Sequence, residues 1–277
     1  MKLKIITFCL LFAAIFSACK KEEIGTTTNY DTSGNTVATA LSKVLTDNQS
    51  TYEYTYSGSN LVSEEKSKYD YTVHTYNDNG QLISTQYYGN DDILSSDLPT
   101  YQAALSNTVW VTPANGKLSG TVSYQYYDNG QLIKATYTGS ALTTSEYSEF
   151  IYDANNRISR QKLYWDNVAT GYIDYSYDGN GNMTKEVLYN LPSTGVAEMI
   201  TITEYSFDTE QNPYKLFSKL MIPGINTNQN NIIKETYTIH LTANEGSDNV
   251  KVTKNTYEYN ASEYPISKNG NITYIYN

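Results

Sequence analysis

The alternation of apolar and polar positions predicts β-strands along most of the chain after residue 50. In residues 51–56 a tyrosine occupies every second position, and Thr or Glu occupies the positions between. Residues 172–177 show a looser form of the same alternation. A period of two in which aromatic residues and Thr recur is typical of strands that are buried on one face. Strand is therefore the predicted state over most of residues 50–277.

A repeated turn separates these strands. Each copy starts with an aromatic residue, continues through polar Asp, Asn and Gly positions, and ends with an aliphatic residue six positions later. The copies are residues 76–82, 126–132, 152–158 and 177–183, and residues 207–213 and 259–265 keep the spacing with Pro in the last position. Asn-Gly and Asn-Asn readily adopt the positive φ that two-residue hairpin turns require.

The spacing of the copies predicts an all-β fold. A step of about 25 residues holds two strands and two connections. The chain then forms a large curved antiparallel up-and-down meander of about twelve or more strands, an open barrel-like or porin-like sheet. One or two short helices interrupt it, with residues 37–45 and 96–105 as the predicted segments. Residues 218–231, which hold Pro223-Gly224 and many Asn and Gln residues, are predicted to form a long loop.

The amino terminus has the order of a secretory signal peptide. Two lysines at positions 2 and 4 precede an apolar run over residues 5–16, and small residues precede Cys19. The run is too short to span a membrane as a helix. Residues 16–19 resemble the lipobox of bacterial lipoproteins, although Phe16 stands where Leu is usual. The resemblance implies that Cys19 carries a diacylglyceryl group; the alternative is a secreted protein with a chance cysteine at the cleavage site.

These features divide the chain into three parts. Residues 1–18 are the predicted signal peptide, residues 19–35 the lipidated cysteine with a flexible tether, and residues 36–277 a single repeat-built β domain. We expect a membrane partner through the lipid anchor and an outer-membrane location. Residues 20–23, Lys-Lys-Glu-Glu, resemble the charged signals that some Bacteroidetes-type lipoproteins use to reach the cell surface. The alternative is a charged, solvated linker.

Composition narrows the set of partners. The sequence holds 19 basic and 29 acidic residues, and loss of the two lysines in residues 1–18 leaves a net charge of −12. Such a surface repels phosphate backbones, so we expect no nucleic-acid partner. There are 29 tyrosines, a residue that favours strands and combines an apolar ring with a polar tip. Because Cys9 leaves with the signal peptide and Cys19 is acylated, no disulfide is predicted.

Two resemblances add an expectation about family. The copies at residues 126, 152 and 177 resemble the YD (RHS-like) repeats of bacterial surface and toxin-shell proteins. Residues 207–214 end in Asn-Pro-Tyr and resemble an element of an uncharacterised family of Bacteroidetes-type lipoproteins. Membership would imply a porin-like antiparallel sheet on a lipid anchor. It implies no known reaction and no site residue.

The sequence contains no pattern typical of a catalytic or metal-binding site, so we predict no catalytic residue, no cofactor and no metal site. His74 and His240 lie in predicted strands, where a histidine faces solvent or bonds to a tyrosine. The adjacent acidic residues Glu64-Glu65 and Asp91-Asp92 point to opposite faces of a strand and are interpreted as solvated loop charges. Residues 178–182 place oxygen ligands as a calcium loop does, but the same position is a plain turn in the other copies.

Four aromatic residues are candidates for ligand binding: Trp110, Trp165, Tyr126 and Tyr175. They could stack on sugar rings, but the pattern favours the alternative that they fill the concave core of the sheet. The predicted function is a non-enzymatic binding module for a glycan or an envelope protein. The alternatives are a structural or assembly protein related to YD-repeat shells and an unrecognised hydrolase.

Overall fold

A computed structural model describes residues 40–57, 61–68, 70–89, 110–139, 145–240 and 249–277. These residues form one antiparallel up-and-down sheet of 17 strands, which confirms the predicted all-β fold class. Within the described ranges the short helices are both 3-10 segments, Lys215–Leu220 and Ile225–Thr227. None of the helices in these ranges is long and apolar enough to cross a membrane.

The strands follow one another along the chain. They are β1 Leu41–Thr46, β2 Gln49–Ser57, β3 Leu61–Ser67, β4 Asp70–Tyr76, β5 Leu82–Gly89, β6 Lys117–Tyr126, β7 Leu132–Gly139, β8 Glu146–Tyr152, β9 Ile158–Trp165, β10 Val168–Tyr177, β11 Met183–Asn190, β12 Glu198–Phe207, β13 Ile232–Ile239, β14 Asn249–Lys254, β15 Tyr257–Tyr259, β16 Pro265–Lys268 and β17 Ile272–Tyr276. From β1 to β14, each strand pairs with the next.

The first described strand corrects one prediction. Residues 37–45 were expected to form a helix, but residues 41–46 are β1, which pairs with β2 and also with β17. Leu41 and Val44 are buried in this arrangement. Ala, Leu and Lys are good helix formers, but helix propensity is a weak preference, and strand pairing on both sides of β1 outweighs it.

The repeated turn is a five-residue loop anchored by one side chain. In residues 178–182 the Asp178 carboxylate accepts hydrogen bonds from the backbone N–H groups of Asn180 and Asn182, both at 2.9 Å. The Asp178 N–H donates to the Asn182 carbonyl, and Gly181 has a φ of +91°. Asp153 accepts the same pair of bonds in residues 153–157. The sequence prediction of a two-residue turn was therefore wrong here, because the Asp side chain closes a wider loop.

Two-residue turns occur at the other end of the strands. Residues 47–48 connect β1 to β2 and residues 166–167 connect β9 to β10, and all four residues have φ between 49° and 62°. Positive φ at both central residues is the signature of a type I′ turn. The Asp-Asn pairs at both positions tolerate this conformation.

Seven tyrosine hydroxyls in the described residues each bond to a backbone carbonyl group of an earlier strand. Tyr177 donates to the Ile158 carbonyl at 2.7 Å, and Tyr126 donates to the Leu82 carbonyl at the same distance. The equivalent bonds are Tyr56 to Leu41, Tyr76 to Val62, Tyr152 to Leu132, Tyr257 to Ile232 and Tyr276 to Pro265. We call this set the tyrosine ladder. It gives a structural role to part of the unusual tyrosine content.

Removing one ladder hydroxyl should be measurable. We expect Tyr177→Phe to lower the free energy of unfolding by about 1 kcal/mol, because the part-buried Ile158 carbonyl loses its donor. Tyr189→Phe is the matched control, since the Tyr189 hydroxyl makes no hydrogen bond within the described residues. Urea unfolding followed by circular dichroism measures both. Equal midpoints for the two variants would contradict the role of the ladder.

Most of the buried hydrophobic side chains form two clusters on one face of the sheet, which we call the core face. One cluster lies on β6–β11 and includes Leu132, Phe150 and Met183. The other lies on β1–β3 and β17 and includes Leu41 and Tyr54. Segment 208–231, between β12 and β13, packs against both. We call this segment the insert.

The insert is more ordered than the predicted long loop. Phe217 is buried, and its ring meets Tyr54 edge-on at a centroid distance of 4.9 Å. Buried asparagines replace the backbone ladder: Asn212 Nδ2 donates to the carbonyl groups of Ile225 and Asn228. An amide side chain both donates and accepts, so it satisfies buried backbone groups where no strand is present.

The insert also changes one copy of the repeat. The Asp208 N–H donates to the Asn231 carbonyl, and Phe207 pairs with Ile232. Residues 207–213 therefore begin an enlarged turn instead of a complete copy. Phe207 has no hydroxyl and so cannot make the bond of the tyrosine ladder to the preceding copy, which ends at Met183. Asn228 contacts Met183 instead: its Oδ1 accepts a hydrogen bond from the Met183 backbone N–H at 2.7 Å.

Candidate functional site

Two of the four predicted aromatic residues belong to the packed core. Tyr175 is buried in the β6–β11 cluster, and Tyr126 packs against that cluster. The Tyr175 hydroxyl donates to Gln161 at 2.9 Å, and Gln161 donates in turn to Ser148. Both tyrosines thus have the core-filling position that the sequence favoured.

The two tryptophans occupy different places. Trp110 precedes β6, and its carbonyl accepts a bond from Asn115. Trp165 is the last residue of β9, where it is partly buried and pairs with Glu146 of β8. Directly opposite residues share a face, so Trp165 and the buried Glu146 lie together on the core face.

Cross-strand register extends this pair into a row. Tyr54 lies opposite Glu65, Glu65 opposite Thr72, Thr72 opposite Tyr87, and Tyr87 opposite Gly120. The register steps once between β6 and β7: Gly120 is opposite Gly139, and Tyr137, two residues before Gly139 and on the same face, is opposite Val122. The row continues with Tyr137 opposite Glu146 and Glu146 opposite Trp165. It takes one residue from each of eight strands: Tyr54, Glu65, Thr72, Tyr87, Gly120, Tyr137, Glu146 and Trp165. We call this row the core-face stripe.

Gly120 allows the stripe to be continuous. A Cβ at this position would lie 2.4 Å from the Tyr137 hydroxyl oxygen and 2.5 Å from a ring carbon. The Tyr137 ring therefore lies over the backbone of β6, in the space that any other side chain would fill. This places Tyr137 next to Tyr87, which pairs with Gly120 on the other side.

The middle of the stripe is accessible to solvent and yet surrounded by protein. Tyr87 is 36% exposed, but desolvation raises its pKa, with further contributions from Tyr124, Glu65 and Tyr137. Burial also raises the pKa of Glu146, which is 8% exposed. The Tyr87 hydroxyl and the Glu146 carboxyl group are therefore partly desolvated groups on the core face.

Glu65 and His74 form a polar network beside the stripe. His74 is buried, with Nε2 at 2.8 Å from Glu65 Oε1 and Nδ1 at 3.0 Å from Thr85 Oγ1. Thr85 also bonds to the Tyr124 hydroxyl. Two predictions were wrong here: Glu65 is a strand residue on the core face instead of a solvated loop charge, and His74 bonds to Glu65 and Thr85 instead of facing solvent.

The order Thr85–His74–Glu65 places a hydroxyl, an imidazole and a carboxylate in sequence, as nucleophilic catalysis requires. Thr85, however, is only 1% exposed, so a substrate has no access to its hydroxyl. The network instead holds Glu65 in a fixed orientation on the core face. His240, the second histidine, follows β13 directly, and its backbone N–H donates to the Ile200 carbonyl.

The opposite face of the sheet carries aromatic pairs that are already occupied. Tyr147 and Tyr164 stack at 4.6 Å, and Lys134 Nζ lies 3.4 Å above the Tyr147 ring. A cation over a ring face is a favourable contact in itself. That ring face is therefore covered within the fold.

A second pair repeats this arrangement two strands further on. Tyr172 and Tyr189 stack at 4.6 Å, and the Arg160 guanidinium lies 4.1 Å above Tyr172 while bonding to Asp174. Both stacks explain why these tyrosines are present without any ligand. Among the described residues, no Lys or Arg lies over the rings of Tyr87 and Trp165 in the core-face stripe.

The calcium-like turn behaves as a structural turn. Both carboxylate oxygens of Asp178 accept hydrogen bonds, Oδ1 from two backbone N–H groups and Oδ2 from the Asn182 amide. Asn182 also accepts bonds from the insert. In the described part of the chain, no group of three or more His, Cys, Asp or Glu side chains is placed to hold a metal ion.

Some sequence predictions fall outside the described residues. They are Cys19 and its lipid, the charged residues 20–23, the helix at 96–105 and the pair Asp91-Asp92.

The fold and its turns define a repeat-built antiparallel β-sheet protein. No protein-family model and no curated protein matches the sequence. Among solved structures, a porin-like protein from Bacteroides uniformis is 11% identical, covering 87% of this chain and 99% of that chain with a TM-score of 0.38. A porin-like protein from Bacteroides vulgatus is 10% identical, and the match covers 86% of this chain and 98% of that chain with a TM-score of 0.37.

TcdB2-TccC3 is 11% identical over 80% of this chain, with a TM-score of 0.31, and the match spans 10% of that much longer chain. At these TM-scores the likenesses define neither a family nor an activity. The functional proposal therefore rests on the residues of this chain.

Proposed function

We propose that the protein is a non-enzymatic, lipid-anchored envelope protein that binds a glycan along the core-face stripe. The stripe itself is the observation that carries the proposal. Tyr87, Tyr137 and Trp165 supply flat rings that stack on the C–H faces of sugars. Glu65 and Glu146 supply hydrogen-bond acceptors for hydroxyl groups.

The length of the stripe fits a chain of sugars better than a small molecule. Tyr54 is covered by the insert, so the part of the stripe open to a ligand runs over the seven strands from Glu65 to Trp165. Neighbouring strands are about 4.8 Å apart, and seven strands extend about 29 Å along the sheet surface. Several linked rings can therefore contact the stripe at once. The predicted anchor fits an envelope location, because an acyl chain on Cys19 would hold the protein at a membrane.

The other two candidate functions have weaker support. An assembly protein that adds a strand from a partner needs an unpaired edge. β14 pairs in register with β13 alone and is such an edge, but it carries Lys251 and Lys254, and lysines on an edge strand oppose pairing with another chain. A hydrolase built on His74 needs an accessible nucleophile, and Thr85 is buried. Glycan binding is supported by aromatic rings and carboxylates that lie together on one face of the sheet.

Substitution of the stripe aromatics tests the proposal. The full chain, purified in detergent, is titrated calorimetrically with linear oligosaccharides of glucose, mannose, xylose, glucosamine and N-acetylglucosamine. We expect at least one to bind, and Trp165→Ala and Tyr87→Ala each to weaken it at least tenfold. Stacking of a nucleobase on an aromatic side chain contributes about 1–3 kcal/mol to binding, and we expect a sugar ring to gain a similar amount. A tenfold loss of affinity corresponds to about 1.4 kcal/mol.

Tyr189→Ala is the matched control, since Tyr189 is a partly buried tyrosine on the opposite face. It should leave the affinity unchanged. Thermal unfolding of every variant establishes that it is folded. The proposal fails if no oligosaccharide in the panel binds, or if the Trp165 and Tyr87 variants bind as tightly as the Tyr189 variant.

A further inference from the structure

The acidic side chains of the opposite face and those of the core-face stripe differ in their ion-pair partners. On the opposite face, acidic and basic groups pair with each other: Lys43 Nζ lies 3.0 Å from Glu53, and Arg160 bonds to Asp174. On the stripe, no Lys or Arg nitrogen lies within 4.0 Å of Glu65 or Glu146 in the described residues. The stripe thus presents two carboxylates without a lysine or arginine partner; Glu65 bonds to His74 through one oxygen.

Glu146 is the sharper of the two cases. The residue as a whole is 8% exposed, and among the described residues no donor bonds to its carboxylate. Removing a carboxylate from water without a partner is unfavourable, which is why burial raises the pKa of Glu146. A ligand cation would remove this penalty.

The surroundings of both carboxylates also favour a cation. Tyr137 pairs with Glu146, while Tyr54 pairs with Glu65 across β2 and β3. Tyr87 lies close enough to Glu65 for the carboxylate to affect its hydroxyl. Ring faces are electron-rich, and an ammonium group beside a ring and a carboxylate gains from both.

The whole-molecule charge points the same way. With a net charge of −12 after signal-peptide removal, the mature chain repels anionic polymers and attracts cationic ones. We infer that the glycan at the core-face stripe carries free amino groups, so that the ligand is an amino-sugar oligomer whose ammonium groups bind at Glu65 and Glu146. This inference rests on the proposed function and specifies its ligand class.

The test compares two oligomers of equal length. Glucosamine hexamer carries free ammonium groups, and N-acetylglucosamine hexamer carries neutral amides on the same backbone. We expect the full chain to bind the amine form at least tenfold more tightly at low ionic strength. Added salt should reduce this preference, because it screens the charge pairing.

Two stripe variants locate the cation. Glu146→Gln and Glu65→Gln keep the shape of the side chain and remove its charge, and each should reduce the ratio of the two affinities severalfold. Glu204→Gln, on the opposite face where Glu204 pairs with Lys185, should leave the ratio unchanged. The ratio is the decisive readout, since a purely structural effect weakens both oligomers alike.

Each outcome has a distinct meaning. If neutral oligosaccharides bind at the stripe but the amine form has no advantage, the inference is wrong and the proposed function stands. If the preference exists but survives both glutamine substitutions, the cation binds elsewhere and the inference is also wrong. If nothing in the panel binds, the proposed function itself is wrong.

Discussion

Replacing Phe217 by alanine is expected to lower the free energy of unfolding by about 3–5 kcal/mol, the usual cost of removing a buried phenylalanine. Phe217 is 3% exposed and contacts three rings edge-on, those of Tyr54, Tyr56 and Tyr214. It is the one buried side chain of the 3-10 segment Lys215–Leu220. The insert therefore depends on this residue for its attachment to the β1–β3 cluster.

Ile225→Ala is the matched control for Phe217→Ala. Ile225 lies on the same insert but is 42% exposed, so its truncation should change the free energy of unfolding by less than about 1 kcal/mol. Guanidinium unfolding of both variants provides the comparison. Similar losses in the two variants would mean that the insert does not pack on the sheet as described.

The second large effect is expected at a repeat turn. Leu132 ends the copy at residues 126–132 and is completely buried. We expect Leu132→Ala to cost about 2–5 kcal/mol, because a cavity forms in a cluster whose neighbours belong to six strands and cannot easily collapse into it.

Leu118→Ala provides the control for Leu132→Ala. Leu118 is a strand residue of the same type, but it is 38% exposed, so its truncation should have a small effect. Differential scanning calorimetry measures both changes. If Leu118→Ala destabilises the protein as much as Leu132→Ala, the assignment of the core face is wrong.

The turns show how much local sequence could predict. An aromatic residue, an Asp or Asn and an aliphatic residue six positions later identified the positions of several connections, because turn formation depends on residues close together in the chain. The register could not be predicted in the same way. Each copy carries a bulge just before its aromatic residue, as between Ser176 and Tyr177, and one extra residue moves every later side chain to the other face.

The stripe illustrates the limit for a site. Trp165 was identified as a candidate from its residue type, and the structure places it beside Glu146. Glu65 was misassigned because an acidic pair in a polar sequence gives no sign of burial, and its position follows from pairing with Tyr54 eleven residues earlier. Tyr87 and Tyr137 carried no distinguishing signal among 29 tyrosines.

The sequence alone determined the strand content, the repeated turns and the expectation of an acylated Cys19, because each depends on residues within one short window. Only the tertiary structure decided which side chains share the core face, since that depends on register summed over many strands and bulges. It also decided the state of segments without a repeat. Residues 41–46 became a strand and the insert a packed element because long-range pairing and burial outweigh weak local preferences.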